Sequence, residues 1–296
     1  MVGFENEKEE LFTRIVGQKA PFPLVKNEKG RIEYFGKQGG IYDYIDKLGN
    51  KKLIESFISY EIEGPAISTI INLREGLSKS LCSCHDYELL LLVLRYWIFH
   101  GLRFPLVREE SKNQNQYIRS ILNLLKNPKS LMTFYCFQWS VISTEYPVLV
   151  SDNNILLLNS LTNPPVVKSW IANRSTPIKD YEFIIIPLSY KKVLIGSSHF
   201  LKESKILSKQ STISINDISN LYAKKMVIGS EKEDLFKEVD SSSDSFTKMD
   251  DLVNELKSFS IKSGVKNHLT EQTKEKIENT QKNLVAKIEV ILNSIG

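Results

Sequence analysis

The chain is poor in features that would assign it quickly. Of its 296 residues only three are cysteine, Cys82, Cys84 and Cys136. So sparse and odd a count argues against a secreted disulfide framework. No apolar run is long enough to cross a bilayer: the longest, "LLLLVLRYWIF" at Leu89–Phe99, is short and contains Arg95. The opening "MVGFENEKEELF" is acidic and polar, unlike a signal peptide. A glycine-rich phosphate loop and a Ser-His-Asp pattern in recognisable context are both missing. Net charge is only +4, which names no partner by itself. These absences lead us to expect a cytoplasmic protein with no membrane association.

What is present suits a folded core. The chain is 42% hydrophobic and 10% aromatic, enough for a sizeable interior. Charge is unevenly spread. Residues 231–296 hold ten Lys against thirteen Asp or Glu, net −3, leaving the remainder at +7. A positive body attracts phosphate-rich ligands, although a lysine-rich solvated surface explains it equally well.

The pattern divides the chain in three. Residues 5–17 suit a short helix, and "PFPLVKNEKGRIEYFG" reads as a hairpin. From Leu53 the period becomes helical: Ile54, Phe57, Ile58 and Ile62 share a face, continued by Ile67, Ile70 and Ile71 beyond Pro65, which kinks or restarts the helix. A buried helix over 87–102 follows, then a polar one over 107–126. After Trp139 five short strands are expected, in "QWSVIST", "VLVSD", "ILLLN", "FIIIPLS" and "KKVLIGS". A helix in "NDISNLYAKK", capped by Asn216 or Ser214, and a last strand in "MVIGS" close an expected body over 1–230. The expected linker is 231–246, around "DSSSDS", and the helical tail 247–296. Its 270–295 helix carries Ile277, Leu284, Ile288, Ile291 and Ile295, a coiled-coil seam for a second copy, a helical protein partner or the chain's own body. The fold class expected is α+β: an N-terminal helical layer packed on a mostly antiparallel sheet, with a C-terminal helical extension.

Three constellations could carry chemistry. Cys82-Ser83-Cys84-His85 offers zinc-type atoms, but structural zinc sites space their cysteines more widely and need four ligands; a loop with chance cysteines explains it better. Arg95 and His100, five apart on a buried helix, resemble the Arg–His motif of HEPN ribonucleases, in which Arg holds a phosphate and His moves a proton. Tyr96 stands where that motif usually has Asn, and HEPN domains are all-helical. Glu61 and Glu63, two residues apart, point to different helix faces, so one should turn inward and need a cation, Arg95 or Arg103. Finally, "YPVLVSDNNILLLN" pinches two apolar runs around Ser151-Asp152-Asn153-Asn154. A hairpin turn accounts for that composition; Asp152 as a base, metal ligand or hydroxyl anchor is the functional alternative.

In order, "SYEIEGPAISTI", "HGLRFP", Trp139, "PVLVSDNN", "FIIIPLSYKKVL" and "INDISNLYAKKMVIGS" resemble the bacterial family named domain of unknown function 4238 over about residues 25–230. The matching positions are Glu63, Arg103 with Pro105, Trp139, Ser151-Asp152-Asn153, Pro187-Leu188-Ser189 and Asn216. The family's opening His-containing segment is absent, Phe104 replaces a Thr, and Asn154 replaces a Pro. The resemblance supplies positions rather than chemistry. On physical grounds we expect Glu63, Arg103, Ser151 and Asp152 to gather where helices meet sheet. Arg103 would hold a phosphate or carboxylate, and Asp152 or Glu63 would act as base or as ligand to a divalent metal, the candidate cofactor. The expected function is an enzyme on a phosphate-containing or nucleic-acid substrate, of a nuclease kind that would serve bacterial defence or act as a toxin. The alternatives are a non-catalytic interaction module using the C-terminal helix, and a HEPN-like ribonuclease with catalytic Arg95 and His100.

Overall fold

The computed structural model describes residues 12–15, 21–23, 43–75, 93–96, 113–127, 137–151, 155–159, 166–169, 181–197, 199, 201–202, 205–223, 226–230, 235, 244–261 and 271–296. Its centre is a six-stranded sheet of β5 (Gln138–Thr144), β7 (Leu156–Asn159), β8 (Val166–Ser169), β9 (Phe183–Ser189), β10 (Lys192–Ser197) and β11 (Ile206–Leu207). The strand order is β11-β5-β10-β9-β7-β8. Every pairing is antiparallel except β11 with β5. All seven residues of β9 are buried, as a central strand covered on both faces demands. Together with the helices, this is the α+β architecture expected.

The two-residue period of the strands sorts the core into two halves. Trp139, Leu157, Ile184, Ile186 and Leu194 face one way. Ile142, Leu156, Leu158, Ile185, Val193 and Ile195 face the other. The first half is covered by α1 (Glu55–Ile58), α2 (Gly64–Glu75), a helical turn at 93–96, α3 (Gln114–Lys126) and α6 (Glu271–Ser294). The second half is covered by α4 (Lys209–Tyr222) and α5 (Asp244–Phe259). Helices therefore lie on both faces, with part of the C-terminal extension on each.

Close packing shows at Trp139, the largest fully buried side chain among the described residues. It sits opposite Gly196 in the β5–β10 register, and a Cβ there would lie 3.0 Å from its ring. The indole fills the space a side chain at 196 would need.

A second sheet has the order β2-β1-β12-β6, with β1 (Phe12–Ile15), β2 (Phe22–Pro23), β6 (Val150–Ser151) and β12 (Met226–Gly229). β3 (Asp43–Ile45) and β4 (Lys51–Leu53) form a separate pair.

Several expectations are corrected here. Residues 12–15 are a strand, not part of a helix, because pairing with β12 more than two hundred residues away supplies their partners. Phe22–Pro23 pairs with β1; the rest of that expected hairpin lies outside the described residues. The two runs flanking Asp152 are not strands of one hairpin. β6 pairs with β12 in the second sheet, whereas β7 lies between β8 and β9 in the first. Unbroken apolar runs need cover on both faces, and that cover comes from distant segments. α4 starts at Lys209, capped by Ser208, whose hydroxyl accepts from the Ser211 amide. Asn216 lies inside that helix.

α6 runs over Glu271–Ser294 and packs into the body's own core. Ile277, Leu284, Ile288, Leu292 and Ile295 are all buried with the helices of the first face. Polar contacts hold the same helix. Lys126 pairs with Glu289 at 2.6 Å, Arg119 donates to the Ile295 carbonyl at 2.8 Å, and Tyr44 meets Ser294 at 2.9 Å. The apolar seam is covered by this chain itself.

Candidate functional site

Pro65 shapes the first helical wall. A proline has no N–H to give and its ring presses on the carbonyl four residues back. The chain answers with a π-turn at Ser59–Glu63, in which the Gly64 amide donates to the Ser59 carbonyl. A Cβ at Gly64 would lie 2.9 Å from that oxygen, so the widened turn favours glycine. Such turns re-aim side chains and recur at functional sites. Here the turn buries Ile62 and leaves Glu61 and Glu63 half-buried.

Glu61 interacts with two cations. Its Oε1 lies 2.5 Å from Nζ of Lys287 on α6, and its charge also acts on Arg95. Arg95 belongs to the helical turn 93–96, whose Val93 and Leu94 are buried in the first core half. Only 6% of Arg95 is exposed. Burial pulls the guanidinium down to about 10, against the opposing pull of Glu61. Its Nε and Nη2 are buried with no hydrogen-bond acceptor. These two nitrogens form one side of the guanidinium fork, the edge that grips two oxygens of a carboxylate or phosphate in parallel. Glu61 thus acts on Arg95 through space, while its short contact goes to Lys287.

A second buried polar group lies on the same wall. Gln281 is 1% exposed, and neither atom of its amide has a partner. It interrupts the α6 seam between Ile277 and Leu284, at spacings of four and three.

Of the other candidates, Ser151 and Glu63 lie among the described residues. Ser151 ends β6 opposite Val227 and is buried beside the small cluster of Leu149, Val227 and Leu235. Glu63 closes the π-turn on the helical wall. Asp152, Arg103 and His100 lie outside the described residues, as does the Cys82–His85 group. Among the described residues, no group of three or more His, Cys, Asp or Glu could hold a metal ion. Among the described residues, no helix is long and apolar enough to cross a membrane.

Asn216 has a structural role. Its Nδ2 donates to the Pro147 carbonyl and its Oδ1 accepts from the Leu149 amide, both at 2.8 Å. This clamp holds the chain entering β6, and so fixes where Ser151 emerges. The N-terminus of α4 is likewise filled by the protein. Glu255 accepts from the Ser208 amide and hydroxyl, and Glu145 from the Lys209 amide. Carboxylates there satisfy amides and the helix dipole together.

Sequence reasoning singled out Arg95 and expected one of Glu61 and Glu63 to turn inward; the structure leaves both half-buried, and the charge of Glu61 acts on Arg95. The signal lay in Pro65, since a π-turn before it rotates the preceding residues. Gln281 was passed over because the seam was read at a spacing of seven; the four-three rhythm would have exposed it.

Comparison with family models, curated proteins and solved structures found no match. The resemblance to the domain of unknown function 4238 therefore rests on the motifs alone.

Proposed function

We propose that this protein binds a phosphate-bearing ligand through the side-on fork of Arg95. One observation carries the reading: a guanidinium 6% exposed whose Nε and Nη2 have no acceptor. Burying charged donors without acceptors costs several kcal/mol. An arginine kept only for structure would turn its fork onto a carboxylate or carbonyl, and Glu61 is near enough to act electrostatically yet is held by Lys287. A dianionic phosphate presents two oxygens to this edge and supplies the missing charge. The net +7 of residues 1–230 draws the same class of ligand toward the body.

Calorimetry with inorganic phosphate and a nucleoside monophosphate tests this. Wild type should bind one or both, Arg95→Met neither. Arg95→Lys should bind weakly, because lysine keeps the charge but lacks the fork. Equal binding by wild type and Arg95→Met, or none by wild type, overturns the reading.

Chemistry on that ligand, in the nuclease or toxin-like sense expected from the sequence, would use Asp152 or Glu63 as base or metal ligand, with Arg103 and Ser151. A metal-dependent nuclease assay on wild type and Asp152→Ala tests it. Two observations weigh against the alternatives. The body surrounds a six-stranded sheet, unlike the all-helical frame a HEPN-type ribonuclease needs. The α6 seam is already buried, so an interaction module would need another surface.

A further inference from the structure

We infer that α6 is a strap that opens from its N-terminal end: residues 271–286 leave the body together while 287–296 stay pinned. The opening needs no ligand, so it stands or falls apart from the Arg95 reading. The pins are set at one end of the helix. Lys287 reaches Glu61 at 2.5 Å and Glu289 reaches Lys126 at 2.6 Å. The Ile295 carbonyl accepts from Arg119 at 2.8 Å, and the Gly296 amide donates to the Ile45 carbonyl at 2.9 Å. The two α3 contacts also give a direction. Arg119 lies at Ile295 and Lys126 at Glu289, so the helices run antiparallel and α3 ends beside Glu289. Residues 271–286 run on past that end.

The inner face differs in the same sense. Among the described residues, the pinned part buries Ile288, Leu292 and Ile295, all apolar, whereas residues 271–286 bury Ile277, Gln281 and Leu284. Gln281 is the middle one of the three, and its amide is desolvated with neither atom partnered. A buried amide without a partner works against the apolar contacts on either side of it. The outer face of this stretch is made for water. Lys274 pairs with Glu271 inside the helix at 2.5 Å, and Glu278 and Lys282 stand exposed four residues apart, in the order that supports a helix. Opening uncovers the apolar surface beneath Ile277 and Leu284 without disturbing α3 or the sheet. Off the body, so short a helix is marginal in water, and its amides then exchange with solvent.

Native-state hydrogen exchange on the full chain, resolved by amide, tests this. In wild type, amides 275–285 should share one protection level, about 10-fold or more below that of 289–295, as a cooperative sub-global opening requires. Gln281→Leu should slow the whole set about 5-fold, the effect of a modest stabilisation. Leu284→Ala should speed the same set. In both variants the change must include amides 275–279, which lie upstream of the substitution. Simple fraying predicts protection that rises residue by residue from the end, and leaves 275–279 untouched by a change at 281 or 284. Thermal melts confirm that each variant folds. A common, lower protection that shifts as a block in both variants supports the strap. Graded protection, untouched amides at 275–279, or equal protection along all of α6 overturns it.

Discussion

The two faces of the central sheet both bury apolar cores but differ in how they treat charge. On the α4–α5 side the carboxylates are matched, although the neutral side chains of Gln138, Ser211 and Ser219 are buried without partners. Asn216 clamps Pro147 and Leu149, and Glu255 grips Ser208 twice. On the α1–α3 and α6 side, Arg95 and Gln281 lie deep in the wall with donors and acceptors unmatched. Matched networks rigidify and specify a fold. Unmatched groups cost stability and persist where function requires them. What sets the first face apart is that one of its unmatched groups, Arg95, carries a charge.

The largest expected effect checks that both faces are true core. Trp139→Ala on the first should cost roughly 3–5 kcal/mol in denaturant unfolding, and Ile185→Ala on the second roughly 2–5 kcal/mol. A much smaller cost on either side would mean that face is loosely packed. The next comparison is sharper. Asn216→Leu should destabilise by at least about 1–3 kcal/mol, because the Leu149 amide and Pro147 carbonyl lose their partner. Arg95→Met should be neutral or raise the melting temperature, since it removes a buried charge while Glu61 keeps Lys287. Strong destabilisation by Arg95→Met would erase the distinction between the faces. Gln281→Leu should stabilise modestly, by about 1 kcal/mol, through apolar contact replacing a buried amide with no partner.

The smallest effect lies at the rim. The Asn50 amide, with further hydrogen bonds from Asn50 and Leu48 and the charge of Lys52, holds the Asp46 carboxyl below its ordinary value of 3.8. A carboxyl depressed by folding favours the folded state above its unfolded pKa. That contribution is lost as pH falls below 3.8 and through the folded value. Wild type should therefore lose stability over this acid range slightly more steeply than Asp46→Asn. Identical acid limbs in the two unfolding curves would show that the loop hub does not couple to folding.

Much of this architecture is legible in the residues. The runs in β5, β9 and β10 were readable as strands because β-branched and aromatic residues cluster between turn signals. The α6 stripe follows from local rules of spacing, whereas the helix expected over 107–126 begins at Gln114, behind an extended Asn113 cap. The misreadings share one cause. Residues 12–15, the flanks of Asp152 and the start of α4 all take their form from partners distant in sequence, and local propensity is too weak to overrule those contacts. At the site, Arg95 stood out as a charge in an apolar run, and the inward carboxylate was expected from parity alone.

By itself, then, the sequence determined the element types, the buried stripes and the presence of an arginine that hydrophobic neighbours would enclose. These depend on periodicity and composition within a few turns of chain. Tertiary structure alone decided that helices cover both faces of the sheet, that α6 seals its own seam, and that Glu61 meets Lys287 beside Arg95. The last two bring together segments some two hundred residues apart, and no local pattern encodes which distant surface a stripe or a charge will meet.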